Sequence, residues 1–284
     1  MHLPPQKSTA WVDGYGVDMT SPPDLSAVTS DLVAEHSDLD RIVASFDRAG
    51  WDRPTPAAGW AVRDQISHLA YFDDVATLAL VDPDAFLPIS RAVTLAMESG
   101  EDPMQEHLLR GRAMEPPELL DWWRRARRDL VEAAKVTDPQ SRVLWFGPPM
   151  GARSFLSARI METWAHGQDI ADTFGVQRVP TQRLRHIAHL GVNARAFSYM
   201  IRGMEPRSEQ IRVELLSSEE DTWDWGPEDC PASVVGGALD FCLVVTRRRQ
   251  VSDTNLVVTG EPAHEWMGIA QSFAGPPGPQ RSSG

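Results

Sequence analysis

Long stretches of this chain repeat apolar residues at three- and four-residue steps, a period that commits them to amphipathic helices sharing a core. Leu25, Val28, Leu32, Leu39, Ile42, Val43 and Phe46 predict a first helix over 24–50, introduced by Pro22, Pro23 and Asp24. Pro54, Pro56 and Gly59 then break the chain. Val62, Ile66, Leu69, Phe72, Val75 and Leu78 predict a second helix over 61–81. A short helix over 84–98 and a polar segment through Gly111 follow. Pro116 and Pro117 open another helix that reaches Val136, with Arg124, Arg125, Arg127 and Arg128 as a solvated or ion-paired face between its tryptophans. After an extended piece over 143–146, helices are expected over 154–174, stopping at Gly175, and over 181–203.

The period changes after Pro206. Residues 210–215 and 221–225 alternate apolar and polar as half-buried strands do. Residues 232–247 read as a helix, 255–259 as a third strand and 261–273 as a last helix. The expected fold class is α+β, an up-down four-helix bundle followed by a small α/β domain. The divisions are a flexible arm over 1–23, the bundle over 24–205, the α/β domain over 206–274 and a disordered tail over 275–284.

Composition narrows the classes of function. At 284 residues and 42% hydrophobic, the chain can bury a sizeable core without a disulfide or structural metal. A net charge of −13 opposes nucleic acid or an anionic membrane as partner and leaves a small-molecule substrate. Cys230 and Cys242 are the only cysteines, which excludes a Cys-rich zinc site and fits a reducing compartment. No apolar run approaches the ~20 residues of a membrane helix, and the first residues lack the apolar core of a secretory signal. A cytoplasmic location is expected.

Two of the predicted helices carry ionisable groups where the apolar period calls for core. His68 lies beside Leu69, one turn from Phe72. Glu162 and His166, four apart, share a helix face among Phe155, Ile160, Met161 and Trp164. Each has an ordinary reading alone, His68 as a hydrogen-bonded core residue and the pair as a surface contact. Taken together they read differently, because a carboxylate near a core is costly unless paired or bound to a cation. Two imidazoles and one carboxylate suit Zn²⁺, Ni²⁺ or Fe²⁺ with coordination positions left open. Asp169, one turn after His166, is either an acceptor that orients an imidazole or a surface acid. The other histidines show no ligand spacing.

The run 51–69, WDRPTPAAGWAVRDQISHL, resembles the amino-terminal signature of the mycothiol-dependent maleylpyruvate isomerase family, which belongs to the DinB-like metal-binding four-helix bundles. The run 161–170, METWAHGQDI, resembles the family's second signature. The resemblance carries the metal-ligand roles to His68, Glu162 and His166, and covers about 24–203 as the bundle. Segments 223–229 and 238–248 are similar to the family's small, sterol-carrier-like domain. The family's use of an arginine from that domain makes Arg247, with Arg248 and Arg249 beside it, a candidate catalytic group; the alternative is a basic helix end facing its own dipole.

The expectation is therefore an enzyme that uses a divalent metal, zinc first with nickel or iron as alternatives, and a low-molecular-weight thiol such as mycothiol. It would isomerise, or transfer the thiol to, a small electrophilic and acidic substrate. Two rivals stand beside it. One is a hydrolase using metal-bound water, and the other a carrier of small apolar ligands with a structural metal.

Overall fold

The computed structural model describes residues 24–100, 105–275 and 277. The arm expected over 1–23 and most of the tail expected over 275–284 lie outside the described residues. Four long helices form the amino-terminal half: α1 (Ser26–Val43), α3 (Val62–Val81), α6 (Pro116–Val136) and α7 (Ala152–Phe174). α3 packs on α6 and α1 on α7, while α3–α7 and α1–α6 contacts close the ring. Its interior is filled at one end by Leu32, Val75, Leu130 and Phe155, and at the other by Leu39, Ile66, Leu69, Trp123 and Ile170.

Local chemistry accounts for the helix ends. α6 begins with Pro116 and Pro117, whose missing amides lie where no helical bond is available, and Glu118 accepts from the Glu115 amide at 3.1 Å. α3 begins where Asp64 accepts from the Ala61 amide at 2.9 Å. Gly175, left-handed at φ 64°, closes α7 as expected. The first helix departs from expectation: it ends at Val43, and Asp47 caps a separate turn, α2 (Arg48–Trp51), by accepting from the Gly50 amide at 2.8 Å. Arg124 and Arg127 pair with Asp40 of α1, so part of the basic face is an interhelix clasp.

Between α3 and α6 lie α4 (Pro83–Ser99) and α5 (Gln105–Ala113). The second replaces the polar segment expected there. Its hydrophobic content is low, and its docking depends on Gly111, where a Cβ would stand 2.3 Å from Ser67 Oγ. That close approach lets Ser67 Oγ donate to the His107 carbonyl at 2.5 Å and sets α5 against the His68 turn of α3.

A two-strand hairpin, β1 (Arg142–Val143) with β2 (Met150–Gly151), leads into α7. The helix expected over 181–203 is two, α8 (Leu184–Asn193) and α9 (Arg195–Met200). The sheet that follows comprises β3 (Arg212–Leu216), β4 (Thr222–Trp225), β5 (Ser233–Gly237) and β6 (Val257–Thr259), in the order β4-β3-β5-β6 with only β3–β5 parallel. β5 corrects the reading of 232–247 as one helix: the first residues pair in the sheet, and α10 (Ala238–Val245) starts only after Gly236 and Gly237. A 3-10 turn (Val251–Asp253) and α11 (Glu261–Ile269) complete the fold. Leu184, Ile187 and Tyr199 of α8 and α9 share one core with Val213, Val234, Phe241 and Trp266, and Met161 and Trp164 of α7 join it. α7 is thus covered from both sides. Among the described residues no helix is long and apolar enough to cross a membrane.

A buried carboxylate ties the two halves together. Glu35 on α1, 1% exposed, accepts from Arg183 Nε at 2.8 Å and from Arg178. Arg178 also donates to the Trp164 carbonyl at 2.8 Å. Removing one partner of a buried pair leaves the other charges uncompensated. Glu35→Ala is therefore expected to lower the unfolding free energy by about 3–5 kcal/mol in urea titration; a loss below about 1 kcal/mol would class the contact with exposed pairs.

Candidate metal centre

α3 supplies His68 and α7 supplies Glu162 and His166, and the three offer ligand atoms that all lie within 4.8 Å of one another. This is the trio expected from the sequence. His166 Nε2 stands 3.3 Å from Glu162 Oε2. The side chains of Glu162 and His166 remain 22% and 11% exposed, so the cluster opens to solvent on the Glu162 side.

The protonation states follow from the surroundings. Burial, reinforced by His166, His107, Arg159 and Arg248, pushes the His68 imidazole well below its usual 6.5, so it is neutral and carries a free lone pair near neutrality. Burial alone would raise the Glu162 carboxyl, but the hydrogen bond and charge of His166, with Arg159 and Arg248, outweigh it and hold the group below 4.5.

His166 is set by a chain of donors. Thr55 Oγ1 donates to the Trp60 carbonyl at 2.9 Å, and Gln65 Nε2 donates to Thr55 Oγ1 at 2.9 Å. That leaves the Gln65 carbonyl oxygen to accept from His166 Nδ1. With Nδ1 donating to Gln65, Nε2 is the ring nitrogen left facing Glu162. Trp60 stacks on the His166 ring, centroids 5.8 Å apart and planes 13° apart. It reaches there because Gly59, left-handed at φ 78°, turns the chain back before α3. Phe72 packs on His68 at 4.5 Å, and His107 lies 5.4 Å from it, stacked on Tyr71.

These observations test whether the residues fit a cation. The donor set is two imidazoles and a carboxylate, both His68 and Glu162 are held in their ligating forms, and His166 is oriented by a neighbour. His68 Nδ1 is buried and makes no hydrogen bond among the described residues, a cost that a cation bound at that nitrogen would offset. The residues fit.

The neighbouring arginines divide. Arg248 is buried against α7: Nε donates to the Ala165 carbonyl at 3.1 Å and Nη2 to Asp169 at 2.9 Å. Asp169 therefore pairs with a guanidinium, and the acceptor that orients an imidazole is Gln65. Arg159 is paired with Asp73 at 2.8 Å. Arg247, the candidate catalytic residue, is not brought to the cluster. It lines a separate cavity of the carboxy-terminal half, because the chain reverses between it and Arg248.

Sequence reasoning passed over Gln65, Thr55 and His107. Gln65 had a usable signal, since it lies one turn before His68 on the same face; Thr55 and His107 come from segments with no helical period in common with the site. A serine–histidine–aspartate series also occurs, with Ser157 Oγ 3.1 Å from His186 Nδ1 and His186 Nε2 2.8 Å from Asp31. Ser157 is wholly buried on α7, so this series joins α1, α7 and α8 and presents no nucleophile.

The chain is similar to known proteins over most of its length. The sequence profile of the mycothiol maleylpyruvate isomerase N-terminal domain matches residues 32–171, a span that holds all three cluster residues. Uncharacterised proteins from two strains of Mycobacterium tuberculosis are 44% identical over 249 residues, 88% of this chain and 96% of theirs. Crystal structures of the mycothiol-dependent maleylpyruvate isomerase and of a histidine-to-alanine mutant superpose with TM-scores of 0.54 and 0.53, covering 84% of this chain and 94% of theirs. At 18% identity these two share the fold. By the domain it carries and the α+β architecture built around it, the chain belongs to the mycothiol maleylpyruvate isomerase family.

Proposed function

We propose that this protein is a divalent-metal-dependent enzyme that uses a low-molecular-weight thiol, mycothiol or a close analogue, to isomerise a small, acidic electrophile or to transfer the thiol to it. The observation that carries the proposal is the convergence of His68, Glu162 and His166 within 4.8 Å at a point where Glu162 still meets solvent. A divalent cation held there, zinc first, would supply a Lewis acid that keeps a thiol as thiolate at neutral pH.

The chain's own groups account for the rest. His68 brings a neutral lone pair, His166 offers Nε2, and Glu162 brings the one negative charge of the donor set. Gln65 holds Nδ1 of His166, which fixes the ring and leaves Nε2 as the nitrogen on the Glu162 side. Trp60 and Phe72 cover the imidazole faces with apolar surface, which limits water beside a reactive thiolate. Arg159 and Arg248 add positive potential while each is held by its own carboxylate, Asp73 and Asp169. They act on the charge of the site at a distance and stay in place during turnover. For an isomerisation, thiolate addition to a conjugated cis double bond frees rotation, and elimination then returns the thiolate and gives the trans product. For a transfer, the thioether bond formed is kept.

Metal analysis of the purified chain should give one divalent ion per chain, lost in His68→Ala and in Glu162→Ala; wild-type stoichiometry in either variant would sink the assignment. Gln65→Ala should keep the ion with affinity reduced about 10–100-fold, measured by chelator competition. Titrating mycothiol into the Co²⁺-substituted protein should shift the visible spectrum and support turnover of maleylpyruvate or a related conjugated electrophile. A spectrum indifferent to thiol would remove the thiol from the mechanism and leave a hydrolytic use of the same site.

A further inference from the structure

The loop between α2 and α3 builds one wall of a cavity that shares Trp60 with the metal cluster. Its own backbone braces it. The Thr55 amide donates to the Trp60 carbonyl at 2.8 Å and the Val62 amide to the Arg53 carbonyl at 3.1 Å, with Pro54 and Ala61 paired across the loop. α5 is tied to the same loop: Arg63 Nη1 donates to the Arg112 carbonyl at 3.0 Å, and Arg112 Nη2 to the Gly59 carbonyl at 3.3 Å. The Trp60 ring stands 5.2 Å from the ring of His68 and 5.8 Å from that of His166, by centroids. One indole is therefore both a wall of the cavity and a cover of the cluster.

The lining combines balanced charge with an aromatic surface. Asp52, Arg63, Asp64 and Arg112 bring two negative and two positive charges, joined as Arg63 with Asp52 at 2.7 Å and Arg112 with Asp64 at 2.8 Å. A charged guest meets no net opposite charge there. A neutral guest can use what the pairs leave over, because a carboxylate accepts about four hydrogen bonds and a guanidinium donates five. The side chains of Asp52 and Arg112 are 54% and 45% exposed, so that capacity faces the guest. Hydroxyl groups both donate and accept, which suits carboxylates beside guanidiniums, and the C–H face of a saturated ring suits the negative face of an indole. The cavity holds about 490 Å³, within the range of roughly 300–1,000 Å³ usual for small-molecule sites.

We propose that this cavity receives the body of the thiol, a neutral, hydroxyl-rich, sugar-like ring, with the sulfur arm passing Trp60 to reach His68, Glu162 and His166. The inference rests on the thiol chemistry proposed above and selects among thiols. A body with net charge gains nothing from the balanced lining, and a hydrocarbon body desolvates the four charged side chains without answering them.

The test uses the full-length, Co²⁺-loaded chain and three probes that share one sulfur arm: N-acetylcysteine joined through an amide to glucosamine, to cyclohexylamine or to glutamate. Affinity is read from the visible spectrum of the metal. The glucosamine probe should bind about tenfold or more tightly than either of the others. Asp52→Ala, a change at an exposed side chain, should keep the metal content and cut the glucosamine-over-cyclohexyl preference about threefold or more. Equal affinity for the glucosamine and cyclohexyl probes, tightest binding of the glutamate probe, or a preference unchanged in Asp52→Ala would each overturn the cavity assignment while leaving the thiol chemistry standing. A spectrum unmoved by all three probes would overturn the thiol chemistry and this assignment together.

Discussion

Helix α7 is covered by the bundle on one side and by the sheet layer with α8 on the other, and a helix in that position must satisfy every polar group it carries. Its sequence places Ser157, Arg159, Glu162, His166 and Asp169 along this buried length. Four of the five draw partners from other elements: His186 of α8, Asp73 and Gln65 of α3, and Arg248 just past α10. The architecture around α7 is therefore a set of answers to its polar residues. Among the described residues Glu162 is paired only with His166, and it is the more exposed of the two.

Charge is distributed with the same economy. Arg159 with Asp73 and Arg248 with Asp169 form two buried pairs flanking the cluster. Both pairs are locally neutral, yet their guanidinium ends raise the potential at Glu162 and His68. This keeps the carboxyl ionised and the imidazole neutral without spending either arginine as a ligand. Because Arg248 also grips the Ala165 carbonyl, one side chain couples the position of α10 to the turn of α7 that bears His166.

Much of the helical half was legible because its residues obey one period over long spans. α3, α6 and α7 begin and end within about two residues of expectation, a precision that capping groups such as Asp64, Glu118 and Gly175 explain. The failures have local causes. The first helix stops at Val43 since Asp47 caps a new turn, a competition between two acceptable helix starts that periodicity does not register. α5 was read as polar loop because it is held to the bundle by a close approach at Gly111 and by buried His107 and Leu108, with little apolar stripe of its own. β5 was absorbed into a helix because Val234 and Val235 are compatible with either state until pairing with β3 decides.

For the candidate metal cluster, the sequence by itself determined which residues could be ligands: helical spacing puts Glu162 and His166 on one face, and the apolar period places His68 inward. It also carried the family resemblance that joined the two helices. Only the tertiary structure decided that α3 and α7 are neighbours, that Gln65 and not Asp169 orients His166, and that Arg248 turns toward α7 while Arg247 turns away. The physical reason is the range of the interactions involved. Helical faces follow from contacts three and four residues apart, whereas a tautomer, an ion pair or the direction of a side chain past a helix end depends on groups brought together from across the chain.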